Sequence, residues 1–375
     1  MMIRTLKYFL ISFLFVQTSW TQDTASVDTE MREMIERIIV DSDIPGLSVA
    51  IANKDGLLWS GTAGHSNIEE RSSVSQRHLF GIGDLSNHFI GAAALNLIED
   101  GLLDPNATVG SILGNLVIGI ENAERTTIYE LLNHTSSISS YDKNNDWERR
   151  ARGIQLNPTY RWEKDEALKY AEGNSRIITT GGRGQYNYSK SNYTLLGLII
   201  EKVSGGLLED ELILRVLDPL NLKETYLDGF QLPPMGSKVG SYHLGTNDFI
   251  ANVGVNAKFD FVDDSRLINT SGTSLSAEGA AGGIITTARE FALFQIGMRA
   301  GTLFSKDKLT LLNHDKNHSE ILGFTSDMVW LEEQGMIIVV LANLGTVSTG
   351  RNDTRSYLSS YVEKNILPIA RKYAK

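Results

Sequence analysis

The 375-residue chain contains no cysteine. A disulfide framework and a lipid-bearing cysteine are therefore excluded. It also lacks any Lys/Arg-rich block, and its net charge is −10. Nucleic acid and anionic membrane surfaces are thus not expected partners, because both recruit clustered cations. Beyond the first residues no apolar run is long enough to cross a bilayer. No internal repeat or low-complexity linker interrupts the chain. No His, Asp and Glu residues fall at metal-ligand spacing: His314 and His318 are four apart, but no third ligand accompanies them. The glycines of "GIGDLSN" lack the lysine of a phosphate-binding loop. No metal or cofactor is expected.

The composition that remains, 42% hydrophobic and 21% charged, is that of a globular protein with a substantial core. At the N-terminus, Arg4 and Lys7 precede the apolar "YFLISFLFV" and then the polar "QTSWTQDTAS". This charged, apolar, polar order predicts a signal peptide over 1–22 and export to the periplasm or exterior, the alternative being an uncleaved N-terminal anchor. "TEMREMIERIIV" (29–40) has apolar residues at helical spacing. "LSVAIANKDGLLWSGTAG" (47–64) reads as two strands about a Lys54-Asp55-Gly56 turn. From residue 84 to about 270 the pattern is helical and loop-rich, with apolar helices expected at 88–101 and 193–206, each ended by glycine. Strands return in "DMVWLEEQGMIIVVLANLG" (327–345), and a last helix closes the chain. This predicts an α+β fold: a discontinuous sheet domain from 26–80 and 271–375, and a mainly helical domain from 81–270.

Several segments carry a resemblance. They are "IPGLSVAIANKDG", "FGIGDLSNHFIGAAALNLIEDGLLDPNATV", "TTIYELLNHTSSISSY", "YNYSKSNYTLLGLIIEKVSG", "PLNLKETYL", "AAGGIITTAREFALF" and "HSEILGFTSDMVWL…MIIVVLANLG". In this order they resemble the class C β-lactamase, penicillin-binding protein and serine esterase family over roughly 29–372. The resemblance implies an antiparallel sheet flanked by helices, a helical domain, and a cleft between them. It also implies three catalytic clusters: Ser-x-x-Lys at a helix N-terminus, Tyr-x-Asn on a loop, and a Lys/His-x-Gly strand. The lysine and tyrosine activate the serine, and two backbone N–H groups hold the oxyanion.

Carried over by residue, the serine position falls on Asp84 and the lysine position on Asn87. The tyrosine is kept as Tyr188, but the asparagine after it is Lys190. The third cluster falls on His318-Ser319-Glu320, with the glycine missing. Ser137 stands where "HTSS" relatives have glycine.

Two readings of Asp84 stand. As a helix N-cap it satisfies free N–H groups and the helix dipole. Alternatively it pairs with Lys190 across two elements, replacing a Ser–Lys couple within one; otherwise Lys190 points to solvent. Tyr188 is either a hydrogen-bond donor in the cleft or a packed core ring, and His318 either lines the cleft or is a bonded strand-edge residue. Literal Ser-x-x-Lys strings at Ser140–Lys143 and Ser305–Lys308 do not open apolar helices. The expected function is a non-hydrolytic binding or regulatory pseudoenzyme. Its cleft would hold a small molecule, peptide or glycan, or a protein partner. The competing expectations are an enzyme of altered chemistry through Asp84, Tyr188, Lys190 or His318, and more remotely a serine hydrolase of esters or peptides.

Overall fold

The computed structural model describes residues 25–172, 184–262, 265–312, 317–348 and 357–374. The predicted signal peptide and His314 lie outside them. A helix covers 25–40 (α1). Two strands follow, β1 (Gly46–Asn53) and β2 (Gly56–Asn67), with a short β3 (Ser72–Ser73). The longest helices after that are α2 (Ser86–Glu99), α3 (Lys190–Ser204) and α4 (Ala288–Ala300). Strands β4 (His318–Ile321), β5 (Phe324–Leu331) and β6 (Met336–Ala342) lead to the C-terminal helix α5 (Tyr357–Tyr361).

The main sheet has six strands in the order β3-β2-β1-β6-β5-β4, and every pairing is antiparallel. The fold is therefore α+β, as the motif order implies. β6, "MIIVVLA", is buried throughout. Its side chains alternate between two cores. Ile337, Val339 and Leu341 pack on α4, in the core that also holds α2 and α3. Ile338 and Val340 face Met31, Ile35 and Ile38 of α1 and Leu358 and Val362 near the C-terminus. A strand covered on both faces needs apolar residues at every position, which explains its unbroken hydrophobic run.

α2 is the spine of the helical part. All its residues from Ser86 to Leu95 are buried. Phe89 stacks on Phe294 of α4 with ring centroids 3.9 Å apart, and the Ser86 hydroxyl accepts the Ile284 N–H at 3.0 Å. α2 thus ties the sheet side to the helical side, and the residues at its head lie where the two meet.

The register of β4 decides what reaches that junction. β4 pairs with β5 so that His318 stands opposite Asp327 and Ser319 opposite Ser326. Ser319 and Ile321 face α2. His318 and Glu320 lie on the opposite face, where Glu320 accepts the Tyr357 N–H at 3.1 Å. On that same face Asp327 accepts a hydrogen bond from the Ser359 hydroxyl. Burial pushes the Asp327 carboxyl up to about 7; the Ser359 hydroxyl opposes the shift and the Glu363 charge adds to it. Between the ordinary value of 3.8 and about 7, the folded chain holds a proton that the unfolded chain releases. Stability therefore falls as pH rises through that window and levels off above it. Asp327→Asn should flatten this decline, leaving the variant more stable than the parent above the window. Urea unfolding across the pH range measures it; parallel curves would show that Asp327 ionises normally.

Candidate active-site cleft

The chain enters α2 through Phe80–Gly81 and a single helical turn, Gly83–Leu85. Gly83 sits at φ +52°, and a Cβ there would lie 2.3 Å from the Ser319 Oγ. Only glycine makes this turn without strain or clash. Asp84 follows inside the turn. It does not cap the helix: no side-chain capping bond forms at either adjacent N-cap, Ile82 or Leu85. The N-cap expectation fails because residue 84 lies past the N-cap of the turn, Ile82, and before that of the helix, Leu85.

That carboxylate meets Lys190. The Lys190 Nζ lies 2.8 Å from Asp84 Oδ1, and the two side chains are 2% and 9% exposed. Lys190 opens α3 just as Asp84 precedes α2, so the pair joins the heads of two buried helices. The ammonium also donates to Glu278 Oε2 at 2.6 Å. Glu278 in turn takes Arg152 on Oε1, from Nη2 at 2.7 Å and from Nε at 3.1 Å. The Arg152 guanidinium stacks over Trp147. The result is a buried chain of alternating charge, Asp84–Lys190–Glu278–Arg152, with two charges of each sign. Gly282 makes room for it: a Cβ there would come within 3.3 Å of Lys190 Nζ.

Burial alone would lower the Lys190 ammonium, but the charges of Asp84 and Glu278 outweigh it and hold it above the usual lysine range. Burial would likewise raise Glu278, yet Arg152 and Lys190 hold it below the ordinary carboxylate value. Each ion keeps its charge because its neighbour is opposite.

Tyr188 completes the group. Its hydroxyl accepts from Asn87 Nδ2 at 3.3 Å and is hydrogen-bonded to Asp84. Burial and the Asp84 charge push the phenol well above its ordinary value, so it stays a neutral donor. Its ring packs on His134, at 4.5 Å between centroids. The Asn87 Oδ1 is buried with no hydrogen-bond partner among the described residues. The "HTSS" and "YNYSK" segments are joined directly: the Asn187 N–H donates to the His134 carbonyl at 2.7 Å. Ser137 adopts φ +58°, a left-handed conformation that glycine takes freely and serine with strain.

Asp84, Asn87, Tyr188 and Lys190 are thus brought together, while His318 faces away with the C-terminal helix. Ser319 takes its place: the Ser319 Oγ accepts the Asp84 backbone N–H at 2.7 Å. Sequence reading missed Ser319, Glu278 and Arg152. The signal for Glu278 was a lone acid within the small-residue stretch "SLSAEGAAGG". Of the literal Ser-x-x-Lys strings, Ser140 sits beside this group, its Oγ accepting the Lys190 N–H at 2.9 Å, but Lys143 ends a single turn. Ser305 bonds Glu99 at the exposed surface. No group of metal-ligating side chains occurs among the described residues.

Residues 31–320 match the family model described as Beta-lactamase. The chain belongs to the beta-lactamase family. Protein flp of Staphylococcus aureus strain MW2 is 26% identical over 193 residues, 51% of this chain and 36% of that protein. Penicillin-binding protein 4* of Bacillus subtilis is 24% identical over 204 residues, 53% of this chain and 41% of that protein. The matched stretch is thus well under half of these relatives' length. Among solved folds, D-amino acid amidase from Ochrobactrum anthropi SV3, complexed with L-phenylalanine amide, superposes with a TM-score of 0.74 at 18% identity, over 93% of this chain and 100% of that one. FmtA from Staphylococcus aureus gives 0.64 at 18% identity, over 92% and 89%.

Removing one member of a buried ionic chain leaves its neighbour uncompensated, at a cost of about 3–5 kcal/mol. Arg152→Leu should lower the urea-unfolding free energy by about that much. Lys54→Ala, which breaks the exposed Lys54–Asp55 pair, should leave it nearly unchanged. Equal small effects from both would mean that Glu278 is not ionised in the fold.

Proposed function

We propose that this chain is an exported, non-hydrolytic member of the beta-lactamase family, a binding or regulatory module whose cleft holds a ligand without cleaving it. The observation that carries the reading is the state of position 84. The family's mechanism needs a hydroxyl there, a nearby proton acceptor, and a free backbone N–H for the oxyanion. This chain has a carboxylate tied to Lys190 instead, and its N–H is already donated to Ser319 at 2.7 Å. A carboxylate attacking an acyl carbon gives a reactive anhydride rather than an ester. A ligand's developing oxyanion would have to displace the serine hydroxyl.

The alternative, turnover by altered chemistry, is less well supported. The Tyr188 phenol and the Lys190 ammonium are both held in their protonated forms. Neither offers a general base near neutral pH. His318 lies on the wrong face of β4 to reach the group.

Binding remains well supported. The buried amide oxygen of Asn87 has no partner among the described residues, and an N–H or O–H of a small peptide, amino-acid derivative or glycan would pair it once the side chain turns outward. The amidase that shares this fold was solved with amino-acid ligands. Lys190 is balanced by two carboxylates, so the cleft favours neutral or cationic ligands over the carboxylate-bearing ones that penicillins represent. Export rests on the predicted signal peptide; no helix among the described residues is long and apolar enough to cross a membrane.

A fluorophosphonate and a penicillin-type probe should leave the chain unlabelled by mass spectrometry. Asp84→Ser with Asn87→Lys and Ser319→Gly, which rebuilds the nucleophile pair and frees the N–H, should gain acylation. Labelling of any cleft serine in the parent chain would overturn the proposal.

A further inference from the structure

We propose that the Lys190 amine and the Asp84 side-chain carboxyl condense into an intramolecular isopeptide bond, with Glu278 relaying the protons. This goes beyond the ligand-binding reading and does not depend on it.

Four features of the geometry support the reaction. The Nζ and the carboxyl are already in contact at 2.8 Å, and both side chains are buried. Groups held this way react as though present at about 10⁵–10⁸ M. A second carboxylate, Glu278, lies 2.6 Å from the same nitrogen. Arg152 keeps it ionised and fixes its position against the nitrogen. The Tyr188 hydroxyl, bonded to Asp84, is placed to stabilise the negative charge that grows on the carboxyl oxygen as nitrogen adds. The surrounding residues exclude water, which otherwise favours hydrolysis over condensation.

The atoms balance without any co-reactant. Ammonium and carboxylate together contain every atom of an amide and one water. Glu278 takes a proton from Nζ and passes it to the Asp84 carboxylate, and the neutral amine adds to the Cγ of the resulting acid to form a tetrahedral centre. A second Nζ proton then passes through Glu278 to the hydroxyl, which departs as water. The Nζ–Cγ bond forms, one Cγ–O bond breaks, and two of the three Nζ protons leave with the oxygen as water. The third stays on the amide nitrogen. This is a single event in the life of each chain rather than turnover, so it does not require the lysine to be a base at neutral pH.

The electrostatics favour the product. Before reaction two carboxylates share one ammonium and a second cation sits behind them. Afterwards a neutral amide remains beside a one-to-one Glu278–Arg152 pair, and two buried charges have been removed at no loss of pairing. The bond would also join the heads of α2 and α3 permanently, closing the spot from which the family's nucleophile acts.

The test is a peptide map of the full-length purified chain, denatured and digested with trypsin. Unmodified chain yields separate peptides 78–125 and 184–190. Cross-linked chain yields 78–125 joined to 184–202, uncut at Lys190 and one water lighter than the sum. The joined species should form in a measurable fraction of the parent chain, the rest keeping the Asp84–Lys190 ion pair. It should be absent from Lys190→Arg and reduced at least tenfold in Glu278→Gln. If Glu278→Gln fails to fold, the parent chain's map decides alone. Recovery of the two peptides solely as separate species at their sequence masses, with no joined species, overturns the proposal. Undiminished cross-linking in folded Glu278→Gln overturns the relay assigned to that residue. Probe labelling, which tests the binding reading, is a separate measurement and neither result fixes the other.

Discussion

A lysine ammonium enclosed between two carboxylates, with an arginine behind the second, organises the centre of this molecule. Buried ions are costly to desolvate, and they persist only where each has an opposite partner at short range. Asp84, Lys190, Glu278 and Arg152 satisfy that condition as a set. They come from four places in the chain: the turn before α2, the first residue of α3, the turn before Gly279–Gly282, and the end of the Asn145–Ala151 helix. No two are neighbours in sequence, so the set fixes how those four elements meet. Replacing one member alone leaves a charge stranded, whereas a serine-and-lysine couple carried on one helix places no such demand on the rest of the fold.

The proposed function rests on the same constraint. A hydrolase keeps its nucleophile's surroundings incomplete, so that substrate supplies the missing partners. Here the surroundings are nearly complete: the carboxylate has its lysine and tyrosine, the backbone N–H has the Ser319 hydroxyl, and Tyr188 has Asn87. The Asn87 amide oxygen is left without a partner among the described residues, and it too is buried. The scaffold around it is that of the beta-lactamase family, with the same sheet flanked by helices.

The fold class was legible because it rests on order. Hairpins at both ends and buried helices between them are patterns of hydrophobicity that survive when polar residues change. The Asp84–Lys190 couple was legible for a related reason: a lysine is lost at Asn87 and another gained at Lys190 as a carboxylate appears at Asp84, and charge conservation across a cleft can be read without coordinates. Glu278 and Arg152 were not legible, since neither belongs to a motif and only the tertiary fold brings them to Lys190. His318 was misplaced for a different reason. A strand presents alternate residues to opposite faces, so a shift of one residue exchanges His318 for Ser319. "HSEILGFTSD" carries polar residues on both parities and does not reveal which face is inward. The N-cap reading of Asp84 failed because the left-handed Gly83 adds a tight turn before the helix, which moves residue 84 off the cap.

The central claim is that Asp84 and Lys190 act as a unit, and a double-mutant cycle tests it most directly. Asp84→Asn, Lys190→Met and the double variant would be unfolded in urea alongside the parent. The account predicts that the double variant loses less stability than the two single changes summed, by about 2 kcal/mol or more, because Lys190→Met alone strands the buried Asp84 carboxylate, which the double removes. Losses that add to within about 0.5 kcal/mol would show that the two residues do not interact, and the account would fail.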